Sequence, residues 1–234
     1  RSEEAARKIR FDFLFQTAKE NRIVKIALGH NQDDQAETVL MRLLRGSGLL
    51  GLAAISPKRK IGDFIIIRPL LGIKRKEIAG FLKARKITPR IDSSNLKEIY
   101  LRNRLRHKLL PELEKYNPNI KEVLAGTAQT AAYDYDFLHT SALKAFNKIK
   151  IIKLKQLRLP LDKFLKLHPA LQNILLRLGF EELKGDTRRL TFQHIRELRD
   201  LIYCRPQGSI VDLPFNISAR KNQGFLDIYV RAPR

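Results

Sequence analysis

Nine consecutive residues, His30-Asn31-Gln32-Asp33-Asp34-Gln35-Ala36-Glu37-Thr38, gather an imidazole, three carboxylates, amides and a hydroxyl in one short stretch. Side chains of these types bind cations, hold an amine or move a proton. They follow the apolar run Ile23–Gly29 and lead into the periodic stretch Val39–Leu44, so the pattern predicts strand, tight turn, helix. His30 and Asn31 then stand at the carboxyl edge of the strand, where open α/β sheets bind ligands, and Asp33, Asp34, Glu37 and Thr38 fall in the first helical turn. Asp34, Glu37 and Thr38 are spaced i, i+3, i+4 and share a helix face. Two readings stay open. Acidic residues suit the positive end of a helix, which accounts for one or two of them; three carboxylates beside a histidine and an asparagine fit a ligand or metal site.

The surrounding pattern supplies the elements that must position this stretch. An amphipathic helix runs over Ser2–Phe15, with Ser2 as a candidate cap. Arg45-Gly46-Ser47-Gly48-Leu49-Leu50-Gly51-Leu52 ends the acidic helix in a glycine-rich loop, either a plain C-cap and turn or a close backbone approach to a ligand. A strand is predicted over Phe64–Arg68, ended by Pro69, then a helix over Lys74–Lys86 with Ile78, Phe81 and Leu82 on one face. A polar loop follows over Pro89–Asn95. Leu101, Leu105, Leu109 and Leu113 recur every four residues and predict a buried stripe. Arg68, Lys74, Arg75, Arg90, Arg102, Arg104, Arg106 and Lys108 make the segment between strongly basic, opposed only by Glu77, Asp92 and Glu98. Such arginine forks suit phosphate or carboxylate, and a solvated helix face is the bland alternative. Further helices are predicted over about Ile120–Lys148 and near Asp162–Leu178 and Thr191–Tyr203, with strands at Ser209–Pro214 and Phe225–Val230.

Composition bounds the classes. The 234 residues carry 46 Lys and Arg against 24 Asp and Glu, a formal charge of +22. That balance bears on partners, and a polyanion such as nucleic acid is the expected one, against a merely solvated basic surface. No apolar run approaches the ~20 residues of a membrane span, and the chain opens without an apolar leader region, so a cytoplasmic protein with no membrane partner is expected. A single cysteine, Cys204, excludes disulfide frameworks and Cys-rich zinc sites.

Five ordered blocks, His30–Thr38, Arg45–Leu52, Arg68–Leu71, Asp92–Asn95 and Arg102–Leu113, resemble the tRNA(Ile)-lysidine synthetases of the PP-loop ATP pyrophosphatase superfamily. The resemblance implies an α/β fold: the C-terminal part of a Rossmann-like parallel-sheet PP-loop domain over residues 1–115, a helical linker over 116–150, and a mainly helical tRNA-recognition domain with short terminal strands over 151–234. It implies ligation of free L-lysine to the wobble cytidine of tRNA(Ile) with a CAU anticodon, through an adenylated cytidine, with ATP and Mg2+ as cofactors and no protein metal centre. Carried over by position, Asp34, Glu37 and Arg106 are the expected catalytic residues around the lysine. His30, Asn31, Asp33, Thr38, Arg45, Gly46, Gly48 and Asn103 are expected to bind substrate. Arg68, Lys74, Arg75, Arg90, Arg102, Arg104 and Lys108 are expected to bind tRNA, and the resemblance admits a homodimer. The family's SGGxDS phosphate loop has no counterpart here, because the only Ser-Gly pair is Ser47-Gly48 inside another motif. With a first strand only at Ile23, the expectation is that further residues precede Arg1 and that residues 1–234 need them for activity. Rival readings are a non-catalytic basic RNA-binding protein on the same scaffold, a tRNA-thiolating PP-loop enzyme, which the lone Cys204 disfavours, and a metal-dependent hydrolase built on His30, Asp33, Asp34 and Glu37.

Overall fold

A parallel pair of strands fixes where the acidic stretch emerges. In the computed structural model, which describes residues 3–90, 100–154 and 156–231, β1 (Lys25–Ala27) runs parallel to β3 (Phe64–Ile67), with Ile26 opposite Ile66. Ser2 and the Asp92–Asn95 block lie outside the described residues. β2 (Lys58–Ile61) pairs antiparallel on the far side of β3, giving the order β1-β3-β2. Its Lys-Arg-Lys-Ile sequence lacks an apolar alternation, and so it is silent as a strand in the sequence. Ile66 is fully buried beneath α1 (Glu3–Glu20), together with Ala18 and Ile26. Phe15 stacks on Phe64 with ring centroids 5.1 Å apart, so aromatic contact pins the helix to the sheet.

α2 (Gln32–Leu43) starts four residues after β1 closes, which places Glu37 and Thr38 in its second turn, not its first. Ala36, Val39 and Leu40, spaced i, i+3, i+4, bury one face against Leu105, Leu110, Leu124 and Ala128. The helix ends in the glycine loop. Gly46 takes φ 71°, a conformation that glycine adopts without strain. In α3 (Leu49–Leu52), a side chain at Gly51 would put its Cβ 2.3 Å from the Cβ of Ser47, so this turn closes only with glycine there.

α4 (Arg75–Ala84) follows β3, and after it come α5 (Leu101–Arg104), a π-helical turn (Leu105–Leu109) and α6 (Leu110–Tyr116). The π turn adds a residue to the regular period. For that reason the predicted leucine stripe breaks: Leu105 and Leu110 are buried, while Leu101, Leu109 and Leu113 pack at the edge of the same cluster.

The chain divides into two units, Arg1–Tyr135 and Asp136–Arg234, and the division falls within the single helix α7 (Ile120–Ile149). The second unit is built on an antiparallel sheet of β4 (Ile151–Lys153), β5 (Gln156–Pro160), β6 (Ile210–Leu213), β7 (Ile217–Asn222) and β8 (Phe225–Val230), in the order β4-β5-β8-β7-β6. The helix expected over Asp162–Leu178 is broken. α8 (Leu161–Phe164) stops, and α9 (Pro169–Lys184) restarts with His168 as N-cap and Pro169 in its first turn, where the missing N–H costs nothing. α9 lies over β5 and β8, and α10 (Phe192–Tyr203) over β6 and β7, burying Leu175, Leu176, Phe180, Leu198 and Leu201. Asp227, also buried, is held by the Arg158 guanidinium at 2.7 Å and by the Asn222 side-chain amide. Among the described residues no helix is long and apolar enough to cross a membrane.

Candidate active site

The start of α2 satisfies the bland reading in part. Asn31, in extended conformation, caps the helix: its Oδ1 accepts the Asp34 N–H at 3.1 Å, and Asp34 Oδ2 accepts the Asn31 N–H at 3.0 Å. This capping box accounts for Asn31 and for one oxygen of Asp34. Thr38 donates its hydroxyl to the Asp34 carbonyl at 2.7 Å, an ordinary i−4 bond within the helix.

The second oxygen of Asp34 turns the other way, toward a compact ionic cluster. Arg102 Nη2 lies 2.9 Å from Asp34 Oδ1, and Arg102 Nε lies 2.7 Å from Glu37 Oε2. Arg106 reaches Glu37 Oε1 through Nε at 2.6 Å and Oε2 through Nη2 at 3.0 Å, and touches Asp34 Oδ1 at 3.4 Å. Glu37 is 1% exposed and Asp34 17%, so both carboxylates are gripped in a largely desolvated place by forked, charge-assisted bonds. Burial pulls the Arg106 guanidinium down, but Glu37 and Asp34 more than offset this and hold it above its ordinary value. The two arginines are i, i+4 on the helix that widens at Leu105, with buried Asn103 between them in sequence. Arg102, expected to bind tRNA, has its guanidinium engaged by Asp34 and Glu37.

Arg68, also expected to bind tRNA, is bonded within the protein. It is 8% exposed, donates from Nη1 to the Ser56 carbonyl at 2.6 Å, and directs Nε to His30 Nδ1 at 3.3 Å. The parallel β1–β3 pairing sets the carboxyl ends of both strands side by side, which is why residues 38 apart meet. Because Nδ1 accepts, the neutral ring carries its proton on Nε2. Burial lowers the His30 pKa first; Asp34 pulls it up, and Arg68, Arg102 and Arg7 push it down again, to a value below 6.5. At pH values under 6.5 the unfolded chain takes up a proton that the folded ring resists. The stability is therefore full above 6.5 and is lost as pH falls from there toward the lower folded value. Urea midpoints of the wild type and His30→Gln, followed from about pH 7.5 to about 5, should diverge, with the wild type losing more. Parallel curves would mean that His30 is not the titrating group.

Asp33 serves the scaffold. Its Oδ1 accepts the Arg75 N–H at the start of α4 at 3.0 Å, and its Oδ2 pairs with Lys121 at 3.1 Å, which also holds Glu114 at 2.9 Å. Burial alone would raise the Asp33 pKa, but the Arg75 amide and Lys121 bring it below the usual carboxylate value. A cleft of about 140 Å³ beside Asp33, walled by Lys74, Lys121 and Glu122, is smaller than the ~300–1,000 Å³ of small-molecule sites. Lys74 spans to Glu122 at 2.6 Å at the surface. Arg75, Arg90, Arg104, Lys108, Arg45, Gly46 and Gly48 are exposed. Gln35 drew no notice in the sequence, yet it is buried and ties α2 to the chain after α3 by exchanging bonds with both the N–H and the carbonyl of Ile55.

Among the described residues no group of three or more His, Cys, Asp or Glu is placed to hold a metal ion, which leaves the hydrolase reading without a ligand set. The donor set fits neither a protein-held Mg2+, since cations or amides already engage the carboxylates, nor a triphosphate cradle at α2, since the N–H groups of Asn31, Gln32 and Asp34 are all bonded within the protein.

Residues 1–113 match the family model described as PP-loop domain, and residues 159–226 match that described as TilS substrate binding domain. With the parallel strand pair and its edge site, they define a PP-loop protein that carries a dedicated substrate-binding domain. The tRNA(Ile)-lysidine synthase of Clostridioides difficile is 37% identical over 92% of this chain and 46% of that protein. The enzyme of the same name from Caldanaerobacter subterraneus is 36% identical over 94% of this chain and 46% of its own length. That from Geobacillus kaustophilus is 37% identical over 91% and 46%. Over more than nine tenths of its length the chain is similar to these tRNA(Ile)-lysidine synthases, and it spans about half the length of the curated relatives it matches.

Proposed function

We propose that this chain is part of an enzyme that ligates free L-lysine to the wobble cytidine of CAU-anticodon tRNA(Ile). The observation that carries the reading is the Asp34–Glu37–Arg102–Arg106 cluster at the carboxyl edge of β1. Asp34, the more exposed acid, is held by Arg106 only at 3.4 Å, and an ammonium group of lysine reaches its Oδ1 by displacing that long contact, while Glu37, sealed behind it, orients both guanidiniums. In the transfer step a lysine amine, having lost a proton, forms a bond to C2 of the adenylated cytidine. The C2–O bond breaks and AMP leaves with the electron pair. Nearby cations stabilise the charge that develops on the leaving phosphate. ATP and Mg2+ enter as the co-substrate pair of the whole enzyme. Residues 151–234 recognise the tRNA, aided by the formal charge of +22.

A non-catalytic RNA-binding protein is the second reading, and the strongly basic balance of the chain, formally +22, favours it. Incubating the full-length gene product with labelled lysine, ATP and a CAU-anticodon tRNA(Ile) transcript separates the two. Transfer of label to that transcript, and not to one with a different anticodon, is the expected result. Tight tRNA binding with no transfer would replace the enzyme by the binding protein.

A further inference from the structure

The second unit carries a surface that the lysine chemistry leaves unused. The β6–β7 hairpin turns through Pro214, Phe215 and Asn216, with φ 64° at Phe215 and 57° at Asn216. Primed hairpin turns call for successive positive φ and draw on Asn and Gly for it. A bulky aromatic in that conformation is strained, and strain of this kind collects at binding sites. Burial does not offset it, because Phe215 is 43% exposed.

Cations surround the ring. Lys184 Nζ lies 4.1 Å from the ring centroid and the Arg189 guanidinium 5.4 Å from it. Both come from the connection between α9 and α10, which Asp186 organises. That carboxylate accepts the Arg188 N–H at 2.8 Å, Arg188 Nε and Nη2 at 3.0 and 2.7 Å, and Lys184 Nζ at 3.2 Å. The Arg188 guanidinium, then its amide, hold the Asp186 carboxyl far below the usual carboxylate range. One carboxylate thus stands among Lys184, Arg188 and Arg189, and the patch keeps a positive excess. A 43% exposed ring with Lys184 and Arg189 over it matches a chain of bases and phosphates: the exposed part of the ring stacks with a base and the cations meet the backbone. An apolar protein partner would have to desolvate those charges, so the arrangement favours RNA. Only an unpaired base offers its face to such a ring.

We propose that Phe215, with Lys184, Arg188 and Arg189, forms a stacking platform for an unpaired nucleotide of the bound tRNA; this rests on the tRNA reading above. The test uses the full-length protein as wild type, Phe215→Asn, Phe215→Tyr and Arg189→Ala. Each is titrated with a CAU-anticodon tRNA(Ile) transcript across a salt series, and thermal midpoints are recorded alongside. Phe215→Asn should weaken binding roughly tenfold. Its midpoint should hold or rise, since asparagine accepts the left-handed conformation that phenylalanine resists. Phe215→Tyr keeps the ring and should bind as wild type does. Arg189→Ala should reduce the slope of log affinity against log salt by about one. Affinity and midpoint falling together in Phe215→Asn would mark the ring as structural and overturn the platform. Wild-type affinity in both Phe215→Asn and Arg189→Ala would overturn it too, and would hand the ring to a protein partner. If the wild type binds no tRNA, the tRNA reading falls with it; if the wild type binds and the variants match it, only the platform falls.

Discussion

Glu37→Ala should abolish lysine transfer and remove about 3–5 kcal/mol of stability, the usual cost of stripping one partner from a buried ion cluster. Glu37 is 1% exposed and takes three bonds from Arg102 and Arg106. Without it, two half-buried guanidiniums face each other with one oxygen of Asp34 between them. Urea unfolding of the variant measures the first effect and lysine incorporation the second. A denaturation midpoint near that of the wild type would show that the cluster does not hold this helix pair together. A companion variant separates stability from chemistry. Replacing Glu37, Arg102 and Arg106 together by Leu, Met and Leu, with Asp34 changed to Asn, removes all four charges of the cluster at once, which is often near neutral for stability. It should fold and still transfer no lysine. The same reasoning makes Arg106→Ala a destabilising change as well as an inactivating one, since it strands Glu37 with a single counter-charge.

Asp34→Asn is the sharper probe of substrate binding. The amide oxygen still accepts the Asn31 N–H, so the capping box survives, but the negative charge disappears. Hydrogen bonds to charged groups contribute about 1.5–3 kcal/mol, so KM for lysine should rise about 10- to 150-fold with tRNA affinity unchanged. Steady-state kinetics with lysine varied at saturating tRNA reads this directly. An unaltered KM would move Asp34 from the lysine site to the helix cap alone.

The strand-turn-helix at Ile23–Leu44 was legible because its periods are clean and its residue types are chemically unusual together. What lay beyond reach depended on partners far away in the chain. Nothing in the local pattern of Arg68 and Arg102 distinguishes a guanidinium aimed at phosphate from one turned inward; Arg68 meets His30 only because β1 and β3 are parallel neighbours. In α7 the large residues Val123, Phe137 and Leu143 are exposed, while Leu124 and Phe146 are buried with Ala128, Ala131 and Ala142. Size advertised burial, and helix phase decided it. The β2 and β5 strands, Lys-Arg-Lys-Ile and Gln-Leu-Arg-Leu-Pro, are defined by their neighbours in the sheets more than by their own composition.

The π turn at Leu105–Leu109 has a consequence for chain length. A π turn takes up a single extra residue locally, so that residues downstream keep the face from which an α-helical insertion would swing them by about 100°. Removing one codon anywhere inside that turn would restore an unbroken α-helix with ideal hydrogen bonding. The Leu110 N–H bonds to the Leu105 carbonyl across the wide turn, so with one residue fewer Leu110 would stand i+4 from Leu105 and stay in the cluster with Val39 and Leu124. The wide turn is thus a place where chain length can change by one residue while the buried face on either side of it is kept.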